Sequence, residues 1–435
     1  MGPSDPIGIV AGGGSLPGEI ARLIVGRGGA VHVIWVEGSA EDEMTGFPHT
    51  VVNWARLGRA VTALRTAGVK RVVFVGTSAR PEWMTAKPDF TFLAALPAVI
   101  RVLKAGGDDA VLRGLLGIFE NKGFAIAGVG DVAPELLVER GPLGAISPAA
   151  RDDADIAKGF ALVSALGRHD IGQGAIVASG RIEAIEGAEG TDRMIARVRE
   201  ARKSKGAELA SLRHGVLVKR PKPGQDLRVD LPAIGPDTVS AARDAGLAGI
   251  AVMSGQVLAA RRSELIERAD QGRIFVVGTD GGVQASAALE HAWAASSTDL
   301  KVMGKRQPSA AQLLDARCGA AIMRDLAAVS TGSALVLARG RVLAIGADEP
   351  PDDVILRWAQ FLRAKRRAGV VVFGVGETLT SATVEIAAGA NVAGLVVMAN
   401  AGDGPRVSET VINSANKLGL FIASAKALGN GESAA

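Results

Sequence analysis

Cysteine is almost missing from these 435 residues. Cys318 stands alone, so no internal disulfide can form, and the chain suits a reducing compartment. No run reaches the ~18 apolar residues that a membrane-spanning helix needs. The opening MGPSDPIGIVAGGG has no basic region followed by a long apolar one, so no secretory signal is expected, and the expected location is the cytoplasm. A net charge of only +4 gives no reason to expect nucleic acid as a partner. The five histidines (32, 49, 169, 214, 291) show no ligand spacing, and zinc would also want more cysteines. Aromatic residues make up 4%, with no tyrosine at all. There is no Walker A loop, and GTSAR (76–80) ends in the wrong residue for a nucleophile elbow. What is present reads as globular: 48% apolar, 22% charged, and long enough for two or three domains.

The chain also repeats itself. Pro148 to Ile185 aligns without a gap to Pro308 to Ile345, with twelve of 38 positions identical, among them Asp155/Asp315, Gly159/Gly319, Gly180/Gly340 and Arg181/Arg341. GLAGIAVM (246–253) meets NVAGLVVM (391–398) at an offset of 145 instead of 160, so the second copy is fifteen residues shorter inside the unit. The loss is expected around HGVLVKRPKPGQDLRVDLPAIG, where Asp226 and Asp230 would face Val371 and Val375. A unit that keeps its core pattern and drops a Lys/Asp-rich segment points to where chemistry sits.

The expected fold is α/β. Residues 1–145 alternate strands (7–10, 31–36, 69–76) with helices (17–28, 54–68, about 91–105 and 108–122), which implies a doubly wound parallel sheet. A second α/β domain over 146–280 opens with a helix near 151–166 and a hairpin about Ser179-Gly180. A connector (281–307), a degenerate copy (308–425) and a frayed tail (426–435) complete the chain.

Two segments stand out. In AGGGSLPGEI, Gly12, Gly13 and Gly14 allow close backbone approach, and Ser15 and Leu16 lead into a helix whose free N–H groups attract phosphate. It is not a full G-x-G-x-x-G, because Pro17 replaces the last glycine. Glu37, at the end of the second strand, can hold ribose hydroxyls. In the second segment, Pro221, Pro223 and Pro232 exclude a helix, so DLRVDL is expected to be extended. Leu227, Val229 and Leu231 would then face a core, and Asp226, Arg228 and Asp230 the other side. Two carboxylates on one face can hold Mg²⁺, and Arg228, Lys219 and Lys222 can neutralise phosphate charge.

Weaker candidates each carry a structural alternative. Thr191 and Asp192 either contact a ligand or cap a helix. Asp108 and Asp109 precede another helix and allow the same two readings. Asp170 and Gln173 either enter the site or shape a turn. The basic helix 193–206 faces water, or touches an anionic membrane surface.

IGIVAGGGSLPGEIA, GGDDAVLRG, DIGQG, EGTDRM and above all VLVKRPKPGQDLRVDLPAIGPDTV together resemble one family. It is the bacterial UDP-2,3-diacylglucosamine pyrophosphatases of lipid A synthesis, not the metallophosphoesterase type. The resemblance covers about 7–278. It implies a Rossmann-like domain and a catalytic domain with the substrate between them, dependence on Mg²⁺, release of UMP and an acylated sugar phosphate, and attack of water on the sugar-side phosphorus. It also implies an essential aspartate, mapped to Asp230 with Asp226 as its rival, and Gln225 in the same run as a substrate contact. The appended copy departs from the family's usual length, and WARLGRAV (54–61) alters a glycine-rich family segment. Association through the catalytic domain is expected, and the attached copy can take that same surface as a pseudo-dimer. The rival readings are a nucleotide-dependent oxidoreductase, supported by the glycine turn and Glu37, and a non-catalytic binding protein.

Overall fold

The computed structural model describes residues 5–37, 46–53, 56–76, 108–167, 169–204, 213–280, 300–329, 331–360, 367–399 and 407–426, the side chains of 108–113 excepted. The helix expected around 91–105, most of the connector and the tail lie outside these residues. The chain forms two compact units. One comprises Met1–Leu143, Gly224–Val239 and Ser254–Gln271; the other Gly144–Pro223, Ser240–Met253 and Gly272–Ala435.

The first unit is built on a five-stranded parallel sheet in the order His49–Val52, Val31–Val36, Ile7–Ala11, Arg71–Val75, Ala125–Ile126. Runs such as IGIVA are buried at every position, as strands covered on both faces must be. Helices Leu16–Gly26 and Leu57–Thr66 lie where the 3.6-residue pattern places them. The four-residue edge strand HTVV and the two-residue Ala125–Ile126 were not expected, being too short to show a period. Strand order turns back between Ile7–Ala11 and Arg71–Val75, so a crevice opens at the carboxyl ends of those two strands.

The second unit holds the main strands of both copies. In copy one Phe275–Thr279, Gly249–Met253 and Val216–Lys219 are parallel, and the last pairs antiparallel with the hairpin Gly174–Ala178/Arg181–Ile185. Copy two repeats this with Phe421–Lys426, Gly394–Ala399, Val370–Phe373, Ala334–Ala338 and Arg341–Ile345, with Leu300–Val302 antiparallel to Phe421–Lys426 at the sheet edge. Even the register shift in the hairpin recurs, at Ile176/Val177 and Val336/Leu337.

The shared residues explain the shared fold. Ser179-Gly180 and Arg339-Gly340 all have positive φ, as a tight hairpin turn requires. The N–H groups of Ser179 and Gly180 donate to Asp155 (2.9 and 2.7 Å), and those of Arg339 and Gly340 donate to Asp315 (2.9 and 2.6 Å). Each carboxylate thereby ties its helix, Ala150–Gly167 or Ala310–Ala328, to its hairpin. Gly159 and Gly319 let these helices lie close on the sheet. A Cβ on Gly159 would run into Val218, and one on Gly319 into Val372 and Leu337. Gly159→Ala is therefore expected to cost about 1–3 kcal/mol through overpacking, read as a lower midpoint in chemical or thermal unfolding.

The pairing also corrects the alignment. Ile176 faces Leu217 and Val336 faces Val371, so Val371 matches Leu217 and not Asp226. The offset is 154 along this strand, so six residues are lost before it and nine after it. The second loss shortens 220–235 to 374–380, between the strand and the helix Pro236–Asp244 or its counterpart Ser381–Gly389. The loop that carries Asp226 and Asp230 is thus nine residues shorter in copy two, and what remains of it, 374–380, contains no aspartate.

Candidate active site

DLRVDL is not a strand. The N–H groups of Val229 and Asp230 both donate to the Asp226 carbonyl at 3.1 Å, and the Arg228 N–H donates to Asp226 Oδ1 at 3.1 Å. The segment is one helical turn begun by an Asx-type bond, the local alternative that aspartate offers the backbone. Period-two faces do not apply. Val229 and Leu231 still join the core of the first unit, but Leu227 is exposed.

The turn binds its own charges. Asp226 accepts from Arg228 Nε at 3.0 and 3.2 Å and from Nη2 at 2.7 Å. Arg228 Nη1 reaches Glu120 at 3.2 Å. The bonds to Asp226 hold the guanidinium well above its ordinary pKa, so it stays charged at any working pH. Asp230 accepts from the Gln225 amide, a neutral donor. Asp226 therefore positions Arg228, while Asp230 is bonded to Gln225.

Gly128 follows the last strand of the parallel sheet, and a Cβ there would lie 3.4 Å from the Arg228 Cα. The Asp226–Asp230 turn thus lies at the carboxyl edge of this sheet, where the glycine loop begins. The Gly12 N–H donates to the Val75 carbonyl at 2.8 Å. Gly14 has φ +92°. Gly76, with φ +102°, packs so closely that a Cβ on it would lie 2.7 Å from the Gly13 carbonyl oxygen. Ser15 makes no side-chain cap to the helix. Its Oγ donates to Glu19 at 2.6 Å, and Glu19 also accepts the Arg261 N–H at 2.8 Å. The helix start is left to Leu16 and Pro17. Glu37 sits further out, accepting from Asn53 at 3.3 Å. Asp108 and Asp109 open the helix Asp108–Asn121, their side chains outside the described ones.

The remaining candidates belong to the second unit. Lys219, 7% exposed, donates to Thr191 Oγ1 at 2.7 Å, and Thr191 donates to Glu186 at 3.1 Å. Thr191 therefore uses its hydroxyl in a buried polar chain, while Asp192 is exposed in the first helical turn. Lys222 pairs with Asp170 at 2.6 Å, and Asp170 has the left-handed φ of +58° that a turn role predicts. The Gln173 carbonyl accepts the Arg220 N–H. In copy two the positions of Glu186, Thr191 and Lys219 are Gly346, Pro351 and Phe373, so the whole chain disappears together with the aspartate loop. Glu186 was not singled out, although it stands five residues before Thr191 in EGAEGTD.

The basic helix Thr191–Ser204 is less available to a membrane than its composition suggests. Arg202 is buried, bound to Glu183 and to the carbonyls of Ala245, Gly246 and His214. Among the described residues no helix is long and apolar enough to cross a membrane.

The sequence matches the LpxI N-terminal domain over 6–136 and the LpxI C-terminal domain twice, over 139–277 and 299–423. The chain belongs to the LpxI family, with the C-terminal domain present in two copies. It is 41% identical over 274 residues to the UDP-2,3-diacylglucosamine pyrophosphatase LpxI of Caulobacter vibrioides (strain ATCC 19089 / CIP 103742 / CB 15), covering 63% of this chain and 97% of that one. A solved murein peptide ligase, Mpl from Psychrobacter arcticus 273-4, covers 97% of this chain and 90% of that one at 11% identity. Its TM-score of 0.18 is too low to bear on fold or chemistry.

Proposed function

We propose that this chain hydrolyses the pyrophosphate of UDP-2,3-diacylglucosamine in a Mg²⁺-dependent reaction of lipid A synthesis. The products are UMP and 2,3-diacylglucosamine 1-phosphate. The observation that carries the reading is internal. Two copies of one domain share their core and hairpin clamp, yet copy one alone holds the aspartate loop and the Lys219–Thr191–Glu186 chain.

The residues suit a Mg²⁺ ion held partly by substrate. Such ions commonly use one or two carboxylates and complete their shell with phosphate oxygens and water. No group of three or more His, Cys, Asp or Glu gathers as a metal site among the described residues. Asp230, the aspartate to which the family resemblance maps the essential carboxylate, would hold the ion, and Asp226 holds Arg228 in place. When bound, the ion neutralises pyrophosphate oxygens.

The chain's own groups supply the rest. Water attacks the sugar-side phosphorus, the bond to the bridging oxygen breaks, and UMP leaves with that oxygen. Arg228, Lys219 and Lys222 offset the charge moving onto the leaving phosphate. The backbone of Gly12–Leu16 cradles the nucleotide.

The test is UMP release from UDP-2,3-diacylglucosamine by the purified protein, with Mg²⁺ and with EDTA. Release that stops with EDTA and returns with Mg²⁺ supports the reading. No release under either condition overturns it, and release unaffected by EDTA overturns its metal part. The glycine loop has its own expected result. Gly76→Ala pushes a Cβ against the Gly12–Gly13 backbone, so KM for the UDP-sugar should rise severalfold with kcat little changed. An unaltered KM would make the turn purely structural.

A further inference from the structure

The two copies face each other through equivalent surfaces. One buried cluster contains Leu162, Val163, Leu166, Val177, Ile182 and Ile185 of copy one, and their counterparts Ile322, Met323, Leu326, Leu337 and Ile345 of copy two, with Val342 packed against it. The equivalent helices Ala150–Gly167 and Ala310–Ala328 touch. Equivalent arginines meet as well. Arg197 donates to the Ile185 carbonyl and to Glu189, and Arg357 repeats both bonds with Ile345 and Glu349. Arg197 then crosses over to Glu349 at 3.3 Å. Contact between like patches is the arrangement of a symmetric homodimer, built here from one chain.

The polar contacts around this shared surface are not symmetric. Arg181 of copy one pairs with Asp348 of copy two at 2.6 Å, and His169 lies 2.6 Å from Asp325. The copy-one residues at the positions of Asp348 and Asp325 are Ala188 and Ala165. If two copies one were paired through this face, Arg181 and His169 would each meet an alanine. The apolar patch accepts either partner, and these polar pairs discriminate. The Caulobacter relative is matched over 97% of its length by 63% of this chain, which leaves it no room for a second copy.

We propose that copy two is a dedicated partner subunit fused to the enzyme. It occupies the face through which copy one would otherwise pair with a second copy of this chain, and the Arg181–Asp348 and His169–Asp325 contacts select the unlike pairing. This rests on the packing of the two copies and does not depend on the proposed reaction.

The test cuts the covalent link without removing either half. A protease site is inserted within 281–299 of the full chain, the folded protein is cut, and the mass in solution is measured at low micromolar concentration. The two pieces should stay together one to one. A copy-one piece that instead pairs with itself, or pieces that separate, would overturn the proposal. Selection is read from the dissociation constant of the cut complex. His169→Ala and Asp325→Ala should each weaken it by about tenfold, and the double variant by little more than either single one. Additive losses in that cycle would remove the selective role of the pair.

Discussion

Asp230→Ala is expected to leave a folded protein that still binds the UDP-sugar and turns it over at least ~10³-fold more slowly. Loss of a group that holds charge at the reacting phosphate costs several kcal/mol in the transition state, and little in the ground state. The fold should survive, because the turn is closed by backbone bonds to the Asp226 carbonyl and anchored by Val229 and Leu231, none of which needs the Asp230 carboxylate. Steady-state kinetics with a far-ultraviolet spectrum and a binding isotherm check both halves. Near-normal kcat would remove Asp230 from the chemistry. Asp226→Asn makes a useful contrast. It should act by releasing Arg228, so its loss should be smaller and should shrink further in a background where Arg228 is already replaced.

The second large effect is expected at Lys219. Lys219→Met should lower kcat by about 10²-fold, the size commonly lost when one charged donor to a transition state is removed. Thr191→Val should give a loss of the same order. Combining the two should add little, because Thr191 acts by holding the ammonium toward its place. A merely structural chain would behave differently: both variants would lower the melting temperature and leave kcat untouched. Burying a lysine among apolar neighbours is costly, and Phe373 fills the same position in copy two without any polar partner. That cost is what makes a stability role for Lys219 the weaker reading.

Much of the fold was legible in the chain because it is carried by local signals. IGIVA and VHVIWV are continuous apolar runs, and a parallel strand covered on both faces has no other way to be written. Ser179-Gly180 and Arg339-Gly340 announce their turns through backbone preference alone. The duplication was visible because Asp155, Gly159 and Gly180 are held by the clamp and by close packing, which tolerate few replacements. The segment 226–231 reads as extended in the sequence because three prolines exclude a helix but say nothing about a single turn. An aspartate bonding to its own neighbours leaves no period to detect. The gap in copy two was placed as one loss for a related reason. An ungapped offset cannot divide fifteen residues between two loops, and only the pairing of Val336 with Val371 does so.

By itself, then, the sequence determined the parallel sheet, the glycine loop, the repeat and the family, since each rests on backbone preference, burial pattern or a run of neighbouring residues. The tertiary structure decided which charges meet. It gave Arg228 to Asp226 and Glu120, joined Lys219 to Thr191 and Glu186, and set Arg197 between Glu189 and Glu349 of opposite copies. Those partners lie from two to more than a hundred residues apart along the chain. Ion pairs and hydrogen bonds act over a few ångströms in space, so their partners become readable only once strands are in register and the copies are packed face to face.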